Sequence, residues 1–398
     1  MRRLTFRTAG ESHGPMVVAL LEGLPRGLPI DLAAVDATLR LRQGGAGRGG
    51  RQRIEDDRVQ ILGGVRRGRT IGSPLALAVA NRDHSIDDLP EPSRPRPGHG
   101  DLAGCFHWLD TDIRSTLERA SARETCARVA AGAVCAQLLG LAGTEVLGYV
   151  RAVHAAVLPA DRPGVSFGPG GTPLAQWRAR RDGTRLYTLD ADADAAMLER
   201  VQEAARKEDT VGGVVEVAAA GVVPGLGSCV QWEEKLDARL AAALMSIPAV
   251  KGVEVGVGFG AAAAFGSQVH DPIGAERGGA GGAVFQRPSN RAGGIEGGMT
   301  NGQDVVVRGY IKPISTLRQP LASVDLSSGA PALAGYERSD VCAVSACAIV
   351  AEAMVALVLA DALLERIGGE SVGELQSRLQ VFLAEARRLG GGGSAPTR

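Results

Sequence analysis

Two histidines lie in short segments where glycine and proline restrict the backbone, and both could transfer protons. His13 is in the segment "GESHGP", and His99 is in the segment "RPRPGHGD", where Asp101 follows it. An imidazole gains or loses a proton near neutral pH, so a histidine presented on a stiff turn is a candidate general acid or base. For His99 the alternative is a structural loop histidine that is hydrogen-bonded to Asp101.

A second group of residues could bind anions. The glycine-rich segment "GAGRGG" at 45–50 fits the dinucleotide fingerprint G-x-G-x-x-G, but a predicted helix precedes it and a predicted strand follows it. The fingerprint requires the reverse order, so this interpretation is rejected. Arginine forks bind phosphate or carboxylate through paired hydrogen bonds. The alternative is a solvated basic loop paired with the acids at 55–57. The arginines concerned are Arg40, Arg42, Arg48, Arg51 and Arg53.

Three further segments carry polar side chains in unusual settings. "ERASARET" at 118–125 places Ser121 in a predicted helix of small residues. The small residues could let a ligand approach the helix; the alternative is that they allow another helix to pack closely against it. "GGIEGGMTNGQDVVVRGYIKPIST" at 293–316 ends in Lys312 and two hydroxyls, a plausible cradle for a phosphate or a ring edge. "ERSDVCAV" contains Asp340 just before a predicted helix, where aspartate is also an ordinary helix N-terminal residue.

Composition limits the class of protein. The chain has 398 residues, of which 45% are hydrophobic and 22% charged, and its 44 basic and 44 acidic side chains cancel. This is the composition of a soluble globular protein without net-charge attraction to nucleic acid or membrane. The cysteines show no zinc-ligand spacing, so no metal site is expected. No signal peptide is visible, and the expected location is the cytoplasm.

The elements that must position these residues alternate between helix and strand without a regular βαβ rhythm. Asp31 is predicted to cap a helix that follows it, and one long helix is predicted over 111–139. Residues 159–190 are expected to leave the core, and the apolar stretch near 343–366 is expected to be a buried amphipathic helix rather than a membrane span. We predict one large α/β or α+β domain over residues 1–385, followed by a flexible tail at 386–398.

Taken together, the segments resemble the chorismate synthase family. The resemblance covers about residues 5–368, and it is specific because seven motifs occur in the family's order and spacing. They are "GESHGP", "RQGGAGRGG", "RPGHGD", "RASARETCARVAAGAV", "SIPAVKGVEVG", "NRAGGIEGGMTNGQ" and "KPISTL".

The resemblance implies a fold, an activity and a cofactor. The fold is an α+β β-α-β sandwich, with helices held between antiparallel sheets, assembled as a homotetramer. The activity is a lyase step of the shikimate pathway of aromatic amino-acid biosynthesis, in which 5-enolpyruvylshikimate 3-phosphate loses phosphate and a C6 hydrogen to give chorismate. The cofactor is reduced FMN, with NADPH as a candidate reductant. The small-molecule substrate is the expected partner.

The resemblance also implies roles for individual residues. His99 protonates the departing phosphate, His13 lies near flavin N1, Asp340 helps remove the proton from N5, and Ser12 and Ser121 hydrogen-bond in the site. Arg42 and Arg48 bind a substrate or NADP phosphate. The implied FMN contacts are Arg119, Ala120, Ser121, Pro248, Ala249, Gly297, Lys312, Pro313, Ile314, Ser315, Thr316 and Arg338. No role is implied for Glu11, for which we expect a structural role in the turn.

Three positions depart from the family pattern. Ala120 stands where a first serine is common, Ser339 where histidine is common, and Val257 where a carboxylate is common. Two other functions are considered from the residues alone: a non-catalytic anion-binding or nucleotide-binding module, and an RNA-binding protein that uses the 40–53 loop. The RNA-binding hypothesis is poorly supported, because aromatic residues are 4% of the chain and none alternates with the arginines.

Overall fold

The structure, a computed structural model, describes residues 3–49, 54–159, 173–277, 283–337 and 340–389. The helices are α1 (Leu32–Gln43), α2 (Asp101–Trp108), α3 (Ile113–Ala120), α4 (Thr125–Gly140), α5 (Leu174–Asp182), α6 (Ala191–Arg206), α7 (Leu236–Met245), α8 (Gly266–Val269), α9 (Val344–Ile367) and α10 (Val372–Arg388). The strands are β1 (Thr5–Ala9), β2 (Met16–Glu22), β3 (Val59–Gly63), β4 (Val65–Arg66), β5 (Arg69–Thr70), β6 (Leu75–Ala80), β7 (Glu145–Val153), β8 (Ala156–Val157), β9 (Gly213–Ala220), β10 (Val250–Val255), β11 (Gly274–Arg277), β12 (Ala283–Gln286), β13 (Ile295–Glu296), β14 (Met299–Thr300), β15 (Val305–Ile311), β16 (Ala322–Val324) and β17 (Pro331–Leu333).

Two antiparallel sheets form the framework. The first has the strand order β1-β2-β6-β3, and the second has the order β10-β15-β9-β7-β8. In β2 the buried residues Val17, Ala19 and Leu21 alternate with more exposed ones, as expected for a sheet with one face on the core. The predicted mixture of helices and antiparallel strands is confirmed.

Helices α4 and α9 form the centre of the core. Helix α4 packs on β2 and β6, α9 packs on β7 and β9, and the two helices pack against each other. Helix α9 is long and apolar enough to cross a membrane by length and composition, but 89% of its most apolar window is buried inside the protein. The prediction of burial is confirmed. The amphipathic pattern is not found, because neighbours cover α9 on nearly all of its faces.

The long helix predicted over 111–139 is interrupted. Helix α3 ends at Ala120, Ser121 is extended with φ −63° and ψ 143°, and α4 begins at Thr125 after a 3-10 turn. The Ser121 hydroxyl accepts a hydrogen bond from the backbone N–H of Arg123, which is the bond that an N-cap serine makes. The prediction of one helix was wrong because this capping geometry outweighs the helix-forming composition on either side.

Part of the segment predicted to leave the core belongs to it. Residues 160–172 lie outside the described residues, but Leu174, Trp177 and Leu186 are buried members of the core. Arg181 in α5 is almost fully buried and pairs with Glu352 of α9 at 2.6 Å. The departure from the core that the proline and glycine content predicted therefore does not include residues 173–190. Similarly, α10 continues to Arg388, three residues into the segment predicted as a tail.

Replacing Gly132 tests the close contact between α4 and α9. A Cβ at Gly132 would lie 2.5 Å from Ala353 Cα and 2.6 Å from Ala353 O, so it would collide with backbone that cannot rotate away. We expect Gly132→Ala to lower the free energy of unfolding by about 1–3 kcal/mol through overpacking. The measurement is urea unfolding followed by circular dichroism. The control is Gly140→Ala in the same helix, where a Cβ would meet nothing within 4 Å. Equal stability of Gly132→Ala and wild type would contradict the prediction.

Candidate active site

The first histidine turn, residues 10–15, connects the antiparallel neighbours β1 and β2. Gly10 has φ +97°, and a Cβ there would lie 2.2 Å from Met16 O, so this position requires glycine. The Asn81 side-chain amide donates hydrogen bonds to three carbonyl oxygens of the turn, those of Glu11, Ser12 and Gly14, at 3.1, 3.2 and 2.6 Å. The turn is therefore held as a rigid unit.

Glu11 folds back over this turn. Its Oε2 lies 2.9 Å from the position that a Cβ on Gly14 would take. A side chain at Gly14 would therefore displace Glu11. These contacts are in keeping with the structural role predicted for Glu11.

His13 contacts two carboxylates from different parts of the chain. Its Nδ1 lies 2.9 Å from Oε1 and 3.0 Å from Oε2 of Glu118, and its backbone N–H donates to Glu118 Oε2 at 2.8 Å. Its Nε2 lies 3.8 Å from Asp83 Oδ2. Ser12 is buried beside it and accepts a hydrogen bond from the Ser121 hydroxyl at 3.1 Å. Two predicted catalytic serines and one predicted histidine are therefore brought together.

The second histidine turn, residues 94–101, places His99 against a buried ion pair. His99 Nδ1 lies 2.5 Å from Asp101 Oδ1, and Asp101 also accepts hydrogen bonds from Nε and NH2 of Arg96 at 2.8 and 3.0 Å. Arg96 NH1 donates to the Thr316 hydroxyl at 3.0 Å. Nδ1 also lies 3.0 Å from Arg96 NH2, which can only donate, but its contact with the Asp101 carboxylate is shorter. Because an ionised carboxylate only accepts hydrogen bonds, the shorter contact assigns the proton to Nδ1 and leaves Nε2 for other chemistry.

The Asp101 carboxyl is buried and strongly acidic. Burial alone would raise the pKa of Asp101, but the hydrogen bonds from His99 and Arg96 outweigh it and hold the pKa well below the usual range. Asp101 is therefore ionised wherever the protein is folded near neutral pH. A fixed negative charge therefore lies beside Nδ1 of His99.

The stability of the Asp101→Asn variant tests whether Asp101 is ionised in the folded protein. A carboxyl whose pKa is depressed by folding contributes stability above its unfolded pKa of about 3.9, and this contribution is lost as the pH falls through the folded pKa. We expect Asp101→Asn to be less stable than wild type by about 1–3 kcal/mol at pH 7. The difference should shrink as the pH is lowered below about 4. Urea titrations at several pH values measure it, and a difference that grows toward acid pH would contradict the assignment.

The two histidine turns flank the last turn of α3. On one side, Glu118 holds the first turn, and Arg119 NH1 donates to Gly10 O at 2.9 Å. On the other side, a Cβ at Gly100 of the second turn would lie 3.8 Å from the Ala120 Cβ. Ala120 itself is exposed. The exposed surface at Arg119 and Ala120 therefore lies between the two histidines.

The segment from Lys312 to Thr316 adjoins the second histidine turn. Lys312 Nζ donates to Gly98 O at 2.7 Å, and the backbone N–H of Lys312 donates to Ala249 O at 3.0 Å. Ala249 has φ +71°, an uncommon backbone conformation for a residue with a Cβ. Burial, with a smaller contribution from nearby Lys251, lowers the pKa of Lys312. Predicted flavin contacts from three chain segments therefore meet around the second turn.

Asp340 belongs to a separate charged group at the end of α1. It accepts hydrogen bonds from the Arg48 guanidinium and from the backbone N–H of Gly49, the latter at 2.6 Å. Arg42 is buried and lies 3.5 Å from Asp57, which in turn pairs with Arg123. Nε of both Arg42 and Arg48 is buried without a hydrogen-bond partner among the described residues. The glycine-rich segment follows a helix, as predicted when the dinucleotide interpretation was rejected.

One predicted cofactor contact, Gly297, lies elsewhere in the chain fold. Gly297 is at the tip of the β13–β14 hairpin, and Gly298 O accepts a hydrogen bond from Leu236 N at the start of α7. Ala249 follows the other end of α7, a helix roughly 15 Å long. Gly297 is therefore remote from Lys312 within one chain. Arg338 and its neighbour Ser339 lie outside the described residues, as do Arg51 and Arg53.

Comparisons with known proteins identify the family. The chorismate synthase family model matches residues 4–364. This chain belongs to the chorismate synthase family. The chorismate synthase of Symbiobacterium thermophilum is 48% identical over 404 residues, covering 97% of this chain and 100% of that protein. That of Desulforudis audaxviator is 50% identical, covering 98% and 100%. A crystal structure of chorismate synthase matches with a TM-score of 0.78 and 38% identity, covering 97% of this chain and 99% of the other.

The charged residues that support the two histidines were not assigned roles from the sequence. The chorismate synthase motifs include or adjoin Glu118, Arg114 and Arg96. Some of the partners of these residues are far away in the chain. Others depend on a turn geometry that a motif does not specify. Burial gives the missing signal. Glu118 and Arg96 are charged residues with less than a tenth of their surface exposed, and such residues require partners.

Proposed function

We propose that this protein carries out the reaction of its family on the surface between the two histidine turns. As a member of the chorismate synthase family, it is a lyase that removes phosphate and the C6 hydrogen from 5-enolpyruvylshikimate 3-phosphate to give chorismate, without net oxidation. The observation that supports this location is the arrangement of His13 and His99 on either side of the last turn of α3.

The proposed flavin-binding residues suit an anionic, planar cofactor. Lys312 is half-buried, and Gly98 O is the acceptor found for its three ammonium hydrogens in the described part of the chain, so further donors can reach a ligand. At the end of α3, Arg119 offers a cation and the exposed Ala120 offers a small side chain. We propose that reduced FMN is held by Arg119, Ala120, Ser121, Pro248, Ala249 and Lys312 through Thr316. When bound, it supplies the transient electron density that makes phosphate departure feasible.

The protein's own contribution is to position groups and move protons. His99 donates a proton from Nε2 to the departing phosphate, while Asp101 keeps Nδ1 protonated and the ring oriented. His13 presents its Nε2 toward the flavin, and Ser12 and Ser121 hydrogen-bond beside it. By the resemblance, Asp340 would accept, at a carboxylate oxygen, the proton that originates at C6; its described contacts are with Arg48 and the Gly49 N–H. These assignments follow the resemblance, and the contacts of His99 and Asp101 support them.

Arg42 and Arg48 are proposed to bind phosphate. Each has a buried Nε without a partner among the described residues, which is a costly arrangement unless a further acceptor arrives. Burial lowers the pKa of Arg48, and nearby Asp340 partly offsets that effect. A phosphate bound here would accept hydrogen bonds from nitrogens that lack them. Gly297 and Arg338 remain predictions of the resemblance.

Several wider properties are proposed on the same basis. The packing of α4 on the first sheet and of α9 on the second supports the β-α-β sandwich of the resemblance. We further propose a cytoplasmic homotetramer in which NADPH is the candidate source of reducing equivalents. Titration of the flavin-loaded protein with NADPH under anaerobic conditions, followed by the flavin spectrum, tests the last point.

An anaerobic turnover assay tests the function. The protein is supplied with 5-enolpyruvylshikimate 3-phosphate and photoreduced FMN, and phosphate release is measured. We expect turnover with reduced FMN and none with oxidised FMN. Absence of turnover with reduced FMN would overturn the proposed function, and equal turnover with oxidised FMN would overturn the requirement for reduced flavin.

A further inference from the structure

Glu118 contacts the first histidine turn at three points. Its carboxylate accepts from the backbone N–H of His13 at 2.8 Å and lies within 3.0 Å of His13 Nδ1 through both oxygens. Its backbone carbonyl accepts from the N–H of Ser12 at 3.1 Å. The side chain of Glu118 has no exposed surface. A single residue of α3 therefore fixes both the backbone and the ring of His13.

The geometry determines which ring nitrogen of His13 carries the proton. A carboxylate is an acceptor only, so Nδ1 must be the donor in its contact with Glu118. Nε2 then faces away from Glu118, toward Asp83 at 3.8 Å, a distance too long for a hydrogen bond. The His13 side chain is 15% exposed, so part of it can be reached from solvent.

Arg114 is a second partner of the Glu118 carboxylate, beside His13. Burial alone would raise the pKa of Glu118, but hydrogen bonds from His13 and from Arg114 hold it below its ordinary value. Arg114 NH1 donates to Glu118 at 3.3 Å, and its NH2 is fixed by the carbonyl of Pro90 at 2.7 Å. Arg114 also pairs with the half-exposed Glu337 at 3.5 Å. The carboxylate is therefore held by Arg114 as well as by His13.

We propose that Glu118 is the positioning residue of His13: it fixes the Nδ1–H tautomer and the ring orientation, so that Nε2 is presented to the flavin and substrate. This role rests on the proposed function, since His13 acts only if the surface beside it is the active site. Glu118 itself is buried and does not touch the ligand. Its effect on turnover is exerted through the imidazole.

The test measures the tautomer of neutral His13 in flavin-free protein. The readout is the ¹⁵N chemical shifts of the ring nitrogens, assigned by their loss in His13→Gln. We expect the Nδ1–H form in wild type and the Nε2–H form in Glu118→Ala. Glu118→Gln should retain Nδ1–H, because its amide oxygen can accept the same hydrogen bond. Asp83→Asn is the matched control, since this second carboxylate also faces His13 but should leave the tautomer unchanged.

Turnover is measured on the same variants with reduced FMN. We expect Glu118→Ala to lower kcat by about 10²-fold, the lower end of what a positioned proton-transfer group contributes, and Glu118→Gln to recover part of this loss. An Nε2–H tautomer in wild type, or wild-type turnover in Glu118→Ala, would overturn the proposal. The wild-type tautomer decides the matter even if Glu118→Ala does not fold. Lack of turnover in wild type would instead reject the proposed function and leave the tautomer result standing.

Discussion

The His99→Ala variant is expected to lower kcat by roughly 10²- to 10⁴-fold, which is the contribution of a well-placed general acid. His99 Nδ1 is held by Asp101, which leaves Nε2 as the ring atom from which the proton would be donated. Removing the ring leaves phosphate to depart without a proton from the protein. The measurement is anaerobic phosphate release with reduced FMN.

A second histidine provides the control for His99. His107 lies in α2, only eight positions along the chain, and packs edge-on against Trp108 at 4.6 Å between ring centroids. It has no place in the proposed site, so His107→Ala should retain wild-type kcat. Flavin binding by both variants, followed by the flavin spectrum, separates a lost proton donor from a lost cofactor. Wild-type kcat in His99→Ala would refute the assignment.

The Asp361→Ala variant is expected to lose about 3–5 kcal/mol of unfolding free energy, because it breaks a buried ion pair and leaves the buried Arg239 NH2 and the Leu4 N–H without their acceptor. Asp361 lies in the apolar helix α9 and accepts hydrogen bonds from Arg239 NH2 at 2.6 Å and from the backbone N–H of Leu4 at 2.7 Å. Arg239 and Asp361 are both nearly buried, with 6% and 7% of their side chains exposed. This carboxylate joins the residue before β1, α7 and α9.

The other carboxylate on Arg239 gives a matched comparison. Glu365 accepts from Arg239 NH1 at 2.5 Å, but 31% of its side chain is exposed, so water can replace the lost bond. We expect Glu365→Ala to cost about 1 kcal/mol or less. Urea unfolding of the two variants at pH 7 measures the difference. Equal losses of unfolding free energy in the two variants would show that burial of the Arg239–Asp361 pair does not determine how much the pair stabilises the protein.

The sequence predicted the elements and segments of this protein better than it predicted their contacts. The cap at Asp31 and the burial of α9 follow from local periodicity and capping, which are short-range properties. The break at Ser121 was missed. A serine inside a helix-forming segment can lie within one continuous helix, or it can cap the start of a new helical turn. The outcome depends on what the turn packs against.

The candidate site shows the same limit. Motif order placed His13 and His99 in one family pattern, but Glu118 lies 105 positions from His13, and Thr316 lies 220 positions from Arg96. Such pairings arise from the sheet and helix packing, which a single sequence does not specify. Gly297 shows a different limit. Its motif is present in the sequence, yet the fold of the single chain places it far from Lys312.

The position of α9 in the chain has a consequence for biosynthesis. This helix fills the space between α4 and the second sheet, yet it begins only at Val344. At about 5–20 residues per second, a ribosome needs roughly 20–70 s to reach that point. Throughout this time the faces of α4, β7 and β9 that α9 later covers remain open to other apolar surfaces. The nascent chain should therefore depend on chaperone protection until α9 has emerged.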